Sequence, residues 1–435
     1  MLSRDLIGII GIVAMLTLMA LRMPIGIAML LVGILGYASL NGIPAALSAL
    51  GGAPYSYSAV YELAVIPLFV LMGNCAGASG MSRDLYNAAY AWVGHWRGGL
   101  ASATVVACAG FAAVSGSSVA SAVTMGRVCL PEMLRHNYSP RLAAGTVAAG
   151  GTLGILIPPS TAFVVYGILT EQSIGRLLLA GFLPGILLAA LFVATVAIWT
   201  HFRPELGPPG PVATRAERMH ALSRSGPMVA IVAASIGGIY LGVFTPVEAA
   251  AVGAFLALAY AIWRRSLDGG SIAGVLLDTV RTTSFVFLIL IGAFVFGPFL
   301  ALSGLPEYIA QAIAGLPVPR LVILLILVVI YIVLGMFMEG FSILVLTLPI
   351  VIPIMQALHY DLIWFGVLMV ILLEMGLISP PVGINVFVVK GLVPDVPMAE
   401  IFKGIVPFFF AMAVCIALLI AFPQIALIIP NSMIK

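Results

Sequence analysis

Two pairs of adjacent prolines stand inside apolar sequence: Pro158-Pro159 in LGILIPPSTAFVVYG (153–167) and Pro380-Pro381 in MGLISPPVGINVFVVKG (375–391). Proline lacks a backbone donor and its ring clashes with the carbonyl one turn back, so two in succession stop a helix. Ser160 and Thr161 follow the first pair, and Ser379, Gly383 and Asn385 flank the second. In hydrocarbon, interrupted backbone is tolerated only against protein or a cavity. Unwound carbonyls and hydroxyls suit a hard cation such as Na⁺, whereas free N–H groups at helix starts suit an anion. The expected chemistry is reversible binding of an ion and an anion near the bilayer centre.

Each proline pair follows a second irregular segment. ASATVVACAGFAAVSGSSVASAVTMGRVCLPEM (101–133) is apolar at both ends and polar at its centre, Ser115-Gly116-Ser117-Ser118. Its arms of about 15 residues reach roughly 22 Å as helix, short of a hydrocarbon core of about 30 Å. A re-entrant hairpin fits. Its counterpart is LVILLILVVIYIVLGMFMEGFSILVLTLPIVIPIM (321–355), with a tip at Glu339-Gly340-Phe341-Ser342. Two such sets, each a hairpin tip beside a broken helix, predict two neutral oxygen-lined Na⁺ sites with substrate between them.

Charged residues at bilayer depth are functional candidates by default. Glu339 sits at a hairpin tip, positioned for cation or substrate, or as a local partner for N–H groups of the following arm. Glu374 precedes the second break by five residues and reads as the partner of a basic group on a neighbouring helix. Glu248 follows Pro246 at a helix start, a structural position. Arg127, in the first hairpin's second arm, is placed either to snorkel to the surface or to attract a carboxylate.

These pieces must be positioned by a membrane protein. Of 435 residues, 62% are hydrophobic and 8% charged, against about a quarter charged in soluble domains. The net charge of +3 gives no reason to expect a nucleic-acid partner. Cys75, Cys108, Cys129 and Cys415 form no CxxC pair and read as small buried hydrophobes. The fold class is all-α polytopic, built on an internal repeat. Pro24 and Pro246, Pro131 and Pro353, and Pro158 and Pro380 are each separated by 222 residues; Gly116 and Gly340, and Ser118 and Ser342, by 224.

The first half is 1–202, with a hairpin at about 99–134 and a broken helix at about 141–168. The second is 226–435, with a hairpin at about 319–356 and a broken helix at about 361–392. A polar linker, 203–225, joins them. Five crossings and a hairpin per half make the second half inverted relative to the first. With the linker cytoplasmic, 14 of the 19 Lys and Arg residues fall inside and Arg4, Arg176, Arg320 and Lys435 outside, and Arg127 stays in its hairpin. The uncharged loop at 41–58 then falls outside, with both termini. Segments 82–96 and 305–316 are amphipathic and suit the interface plane, as levers between moving and fixed parts.

The stretches FAAVSGSSVASAV (111–123), GTLGILIPPS (151–160), FTPVEAAAVGA (244–254) and EMGLISPPVGINVFVVKG (374–391) resemble the large membrane subunit of tripartite ATP-independent periplasmic (TRAP) transporters, over essentially the whole chain. The resemblance implies an elevator-type secondary transporter of a bacterial inner membrane. It implies Na⁺-driven uptake of an organic acid such as a C4-dicarboxylate or sialic acid. The implied partners are a small four-helix membrane subunit, expected as a separate chain, a periplasmic substrate-binding protein, and membrane lipid. By position, the first Na⁺ site falls at Ser115, Ser117, Ser118, Pro158 and Thr161. The second falls at Gly340, Ser342, Ser379, Val382 and Gly383, and the substrate contacts at Ser117, Ser160, Glu339 and Asn385. Arg127 departs from the family's usual hairpin arm. A stand-alone symporter of the divalent-anion/sodium type has similar hairpins, but its Ser-Asn-Thr tip signature is missing. An ion channel is a further alternative. No Gly-x-Ser-x-Gly or His-Glu-x-x-His motif suggests an enzyme.

Overall fold

Runs of Leu, Ile, Val and Ala bounded by Pro, Gly, Ser or Thr become helices throughout the chain. The computed structural model describes residues 3–266 and 269–433, and all regular structure among them is helical. Lys435, counted above among the outer charges, lies outside the described residues. Among the described residues, seven helices are long and apolar enough to cross a bilayer, or up to eight if the bent pair Pro140–Leu156 plus Thr161–Thr170 counts as one span.

Two helices are buried on nearly every side, and both carry a break. In Pro140–Leu156 burial is almost continuous from Leu142 onward, and in Leu362–Leu377 every residue from Ile363 is buried. A helix apolar all round belongs in the interior of a larger bundle. The first packs against both arms of the first hairpin, Gly99–Ser115 and Ser118–Arg135, and against Met398–Ala421. At its start Arg141 Nη2 lies 2.6 Å from Glu400 Oε2. The second packs against both arms of the second hairpin, Arg320–Gly335 and Gly340–Ala357.

Flanking these are Ile25–Asn41, Val65–Ala78, Pro246–Trp263 and the 35-residue helix Gly269–Ser303. Ile25–Asn41 crosses Gly269–Ser303 so closely that a Cβ on Gly292 would lie 2.6 Å from the Gly26 carbonyl. Small residues at such a crossing let membrane helices touch backbone to backbone.

Two elements differ from the sequence reading. The segment read as a loop at 41–58 is mostly a helix, Ile43–Ser58, opened by Pro44 in its first turn. The linker's basic end is also helical. Thr214 and Glu217 form a reciprocal capping box that starts Arg215–Tyr240. The remainder of the linker is pinned to the first hairpin's base, where Gly98 N donates to Gly207 O and Ser139 N donates to Leu206 O.

The amphipathic segments are the short helices Met81–Val93 and Leu305–Ala314. Asp84, on the first, is buried and pairs with Arg264 and with Arg224, the latter at 3.2 Å. The hydrogen bond from Arg264 to Asp84 holds that guanidinium above its usual pKa.

Candidate functional site

The first hairpin turns at Gly116. Its φ of +64° closes the first arm, and a Cβ there would lie 3.1 Å from the Pro159 carbonyl. The left-handed conformation and the close approach both favour glycine. Ser117 caps the second arm by accepting from Ala120 N at 3.3 Å, and the Ser115 hydroxyl donates to Ser117 O. Across the break, Ser160 caps Thr161–Thr170 by accepting from Phe163 N, and the Thr161 hydroxyl donates to Gly116 O at 2.9 Å. The tip and the first break are therefore in contact. Ser115, Ser117, Thr161 and the buried Pro158-Pro159 pair surround the Gly116 turn.

The second break is arranged differently. Its glycine, Gly383, has φ +62° and opens Ile384–Leu392 without a side-chain cap. The Ser379 hydroxyl, just past the end of Leu362–Leu377, donates back to Met375 O of that helix at 2.6 Å. Pro380, Pro381 and Val382 are exposed, Val382 to 38%. Glu339 caps Gly340–Ala357, its Oε2 accepting from Ser342 N at 3.2 Å, so its reading as a local partner for N–H groups holds. Asn385 is fully buried, and neither amide atom has a hydrogen-bond partner.

Between the two hairpin tips lies an enclosed cavity of about 60 Å³, lined by Ser117, Ser118, Glu339, Gly340, Glu374 and Ile384 among others. Here one expectation is corrected. Glu374 has no cationic partner among the described residues. Its Oε1 instead accepts from the Ser118 hydroxyl at 3.0 Å. The two residues are 256 apart in the chain, and they meet because the second broken helix packs against the core that carries the first hairpin.

Glu248 and Arg127 lie apart from this cavity. Glu248 closes a capping box with Thr245 at the start of Pro246–Trp263, the structural role expected of it. Arg127 is exposed and sits about 13 Å along its arm from Ser118, lining a separate cavity with Pro131, Asp395 and Val396. A larger cavity, about 610 Å³ and lined by Leu85, Phe182, Met228, Ile236 and Tyr240, has almost no polar surface. It offers little with which to recognise a carboxylate.

Residues 12–425 match the family model described as "Tripartite ATP-independent periplasmic transporter, DctM component". The chain belongs to this family. It is 36% identical over 372 residues to the C4-dicarboxylate TRAP transporter large permease protein DctM of Pseudomonas aeruginosa, covering 85% of this chain and 86% of that one. It is 32% identical to the sialic acid TRAP transporter large permease protein SiaM of Vibrio cholerae, with 85% and 86% covered. The isethionate TRAP transporter permease protein DctMQ of Oleidesulfovibrio alaskensis is 35% identical over 384 residues, 86% of this chain, but the match spans only 59% of that longer protein. Among solved structures, the Alcanivorax borkumensis YdaH transporter superposes with a TM-score of 0.62 at 15% identity, covering 89% of this chain and 90% of that one. That likeness concerns the fold alone.

As a member of the DctM family the chain is a multi-pass membrane permease component and not an enzyme. What sequence reasoning missed was the bond between Glu374 and Ser118 and its shared cavity with Glu339. A signal existed. At offsets of 222 and 224 the first half has Thr152 and Ser115 where the second has Glu374 and Glu339, so at these matched positions the acids stand only in the second half.

Proposed function

We propose that this chain is the large subunit of a Na⁺-coupled TRAP transporter that imports a small organic acid by an elevator movement. A small four-helix subunit would complete the membrane complex, in a bacterial inner membrane. A periplasmic binding protein would deliver the substrate to the outer face. The supporting observation is the contact of the first hairpin tip with the first break. The Gly116 carbonyl, the Thr161 hydroxyl and the backbone around Pro158-Pro159 gather neutral oxygens at one point, the donor type a hard cation takes. The relatives named above carry C4-dicarboxylate, sialic acid and isethionate in their names, all small organic anions. We extend that class to this chain's substrate. Ser160, Glu339 and Asn385 stay candidates for contact with it. The second cation site is proposed at Gly340, Ser342, Ser379, Val382 and Gly383, where closure would have to cover the exposed break.

The test is uptake of radiolabelled carboxylates into proteoliposomes holding this chain with its small subunit, with the binding protein added outside. Uptake that needs both an inward Na⁺ gradient and the binding protein is the expected result. Uptake with Na⁺ alone would replace this reading with a stand-alone symporter, and single-channel currents would replace it with a channel. The family match favours neither of these.

A further inference from the structure

We propose that the apolar cavity beside Arg215–Tyr240 is a lipid site, holding one acyl chain of a membrane phospholipid with its phosphate at Arg224. This needs the chain to be a membrane protein and does not depend on what it carries. The cavity, about 610 Å³, is walled on one side by two adjacent rows of Arg215–Tyr240, every fourth residue from Met228 to Tyr240 and from Val229 to Gly237. Facing them are Gly110 and Ala113 of the first hairpin's arm, and Phe182 at the start of Phe182–Phe202. Arg215–Tyr240 packs on Met81–Val93, Pro246–Trp263 and Ile174–Ala180, but not closely on that arm or on Phe182–Phe202. A Cβ on Gly237 would meet nothing within 4 Å.

Polarity and size decide what fills this space. A buried water needs several polar partners, and the Tyr240 hydroxyl is the one side-chain oxygen or nitrogen among the lining residues. In a bilayer the apolar filler at hand is hydrocarbon. A methylene is close in size to a water, which takes about 30 Å³ in the liquid, so the cavity has room for roughly twenty such groups, a long acyl chain. Met228 and Tyr240 stand about 18 Å apart along their helix, close to the roughly 15 Å of one leaflet's hydrocarbon. A partner helix of that length, about 10 Å across, would need about twice the volume. Charge places the headgroup. Arg224 precedes Met228 by one turn, and Asp84 is the neighbour of the lining residue Leu85, so both lie at one end of the cavity. Arg224 and Arg264 share the Asp84 carboxylate, which leaves positive charge in excess. The Arg224 side chain is 52% exposed and can reach a phosphate, which a guanidinium grips with paired hydrogen bonds. With the linker cytoplasmic, the lipid belongs to the inner leaflet. Its chain would fill the surface along which the first hairpin moves past Arg215–Tyr240.

The test is native mass spectrometry of the complete complex, this chain with its small subunit. The complex is reconstituted in vesicles of phosphatidylethanolamine and phosphatidylglycerol, then extracted and washed in mild detergent. The expected result for wild type is one phospholipid retained per chain. Ala233→Leu with Gly237→Leu grows side chains into the cavity, and retention should fall about tenfold, the equivalent of two displaced methylenes. Arg224→Gln should lower it about two- to fivefold, as for a half-exposed charge pair. A wild type that keeps no phospholipid, or a leucine variant that keeps as much as wild type, would overturn the site. Equal retention in Arg224→Gln would overturn the placement of the phosphate. A leucine variant that keeps its phospholipid but sheds the small subunit, or a second copy of this chain, would give the cavity to a protein partner instead. Should the leucine variant not insert, Ala113→Leu fills the cavity from the facing arm and is read in the same way. Retention does not depend on uptake, so a failure of Na⁺-driven transport would leave this result standing.

Discussion

At the scale of single residues, Thr161 offers the cleanest dissection of the first tip. Its hydroxyl donates to Gly116 O at 2.9 Å and is the side-chain link from break to tip. Thr161→Val keeps the shape and removes the donor, leaving that carbonyl unheld. A bond of this kind contributes about 0.5–1.5 kcal/mol, a factor of roughly 2–10 in an equilibrium. Half-saturating Na⁺ for uptake should rise by about that factor, with membrane insertion unchanged. Equal Na⁺ dependence in variant and wild type would separate Thr161 from the cation. Residues of this sort were legible in the sequence because their signal is local: a hydroxyl two places after a proline pair, or a serine beside a tip glycine. Glu374 was not, because its partner Ser118 lies 256 positions away, and nothing in a single chain says which buried acid meets which hydroxyl. The expectation of a basic partner followed from charge pairing alone. The structure answers the same need with a hydroxyl on one oxygen and leaves the other bare.

At the scale of elements, the short helix Met81–Val93 joins parts that would have to move relative to one another. It packs on the first hairpin's arm Gly99–Ser115 and on Arg215–Tyr240. Asp84 fastens it through Arg264, just past the end of Pro246–Trp263, and Arg224 within Arg215–Tyr240. Asp84 is 5% exposed, whereas both arginines reach water, so removing the acid leaves two solvated cations rather than a buried charge. The loss should therefore resemble a charged hydrogen bond, about 1.5–3 kcal/mol. Asp84→Asn should lower the melting temperature of the detergent-solubilised protein, and slow uptake more than it lowers substrate affinity if the helix acts as a lever. A variant as stable and as fast as wild type would make the triad incidental. Hairpins and broken helices could be placed from sequence because arm length and proline punctuation are strong, short-range signals. The helix Ile43–Ser58 could not, since it has no charge and carries Gly51 and Gly52 in its interior. Its pattern resembles a loop until neighbouring helices supply a surface to pack on.

At the scale of the whole molecule, the proposed orientation rests on charge rather than on any one helix. The cytoplasmic assignment of the linker puts Arg215, Arg218 and Arg224 inside and the uncharged segment at 41–58 outside. Some of these arginines do structural work as well. Arg218 Nε donates to Ala91 O, and its guanidinium lies over the Trp92 ring, 5.7 Å from its centroid. Arg218 thereby ties Arg215–Tyr240 to Met81–Val93. The four cysteines are all buried, so a membrane-impermeant maleimide meets little background. Val212, in the linker, is 72% exposed, and Leu47, on Ile43–Ser58, is 59% exposed. In right-side-out cells Leu47→Cys should label at once and Val212→Cys only after permeabilisation; inverted vesicles should show the reverse. Labelling of both from the same side would contradict an odd number of crossings between them, and a swapped pattern would turn the molecule over. The second outcome would also set the exposed second break, Pro380 to Val382, in relation to the opposite compartment, and with it the direction in which the binding protein would have to approach.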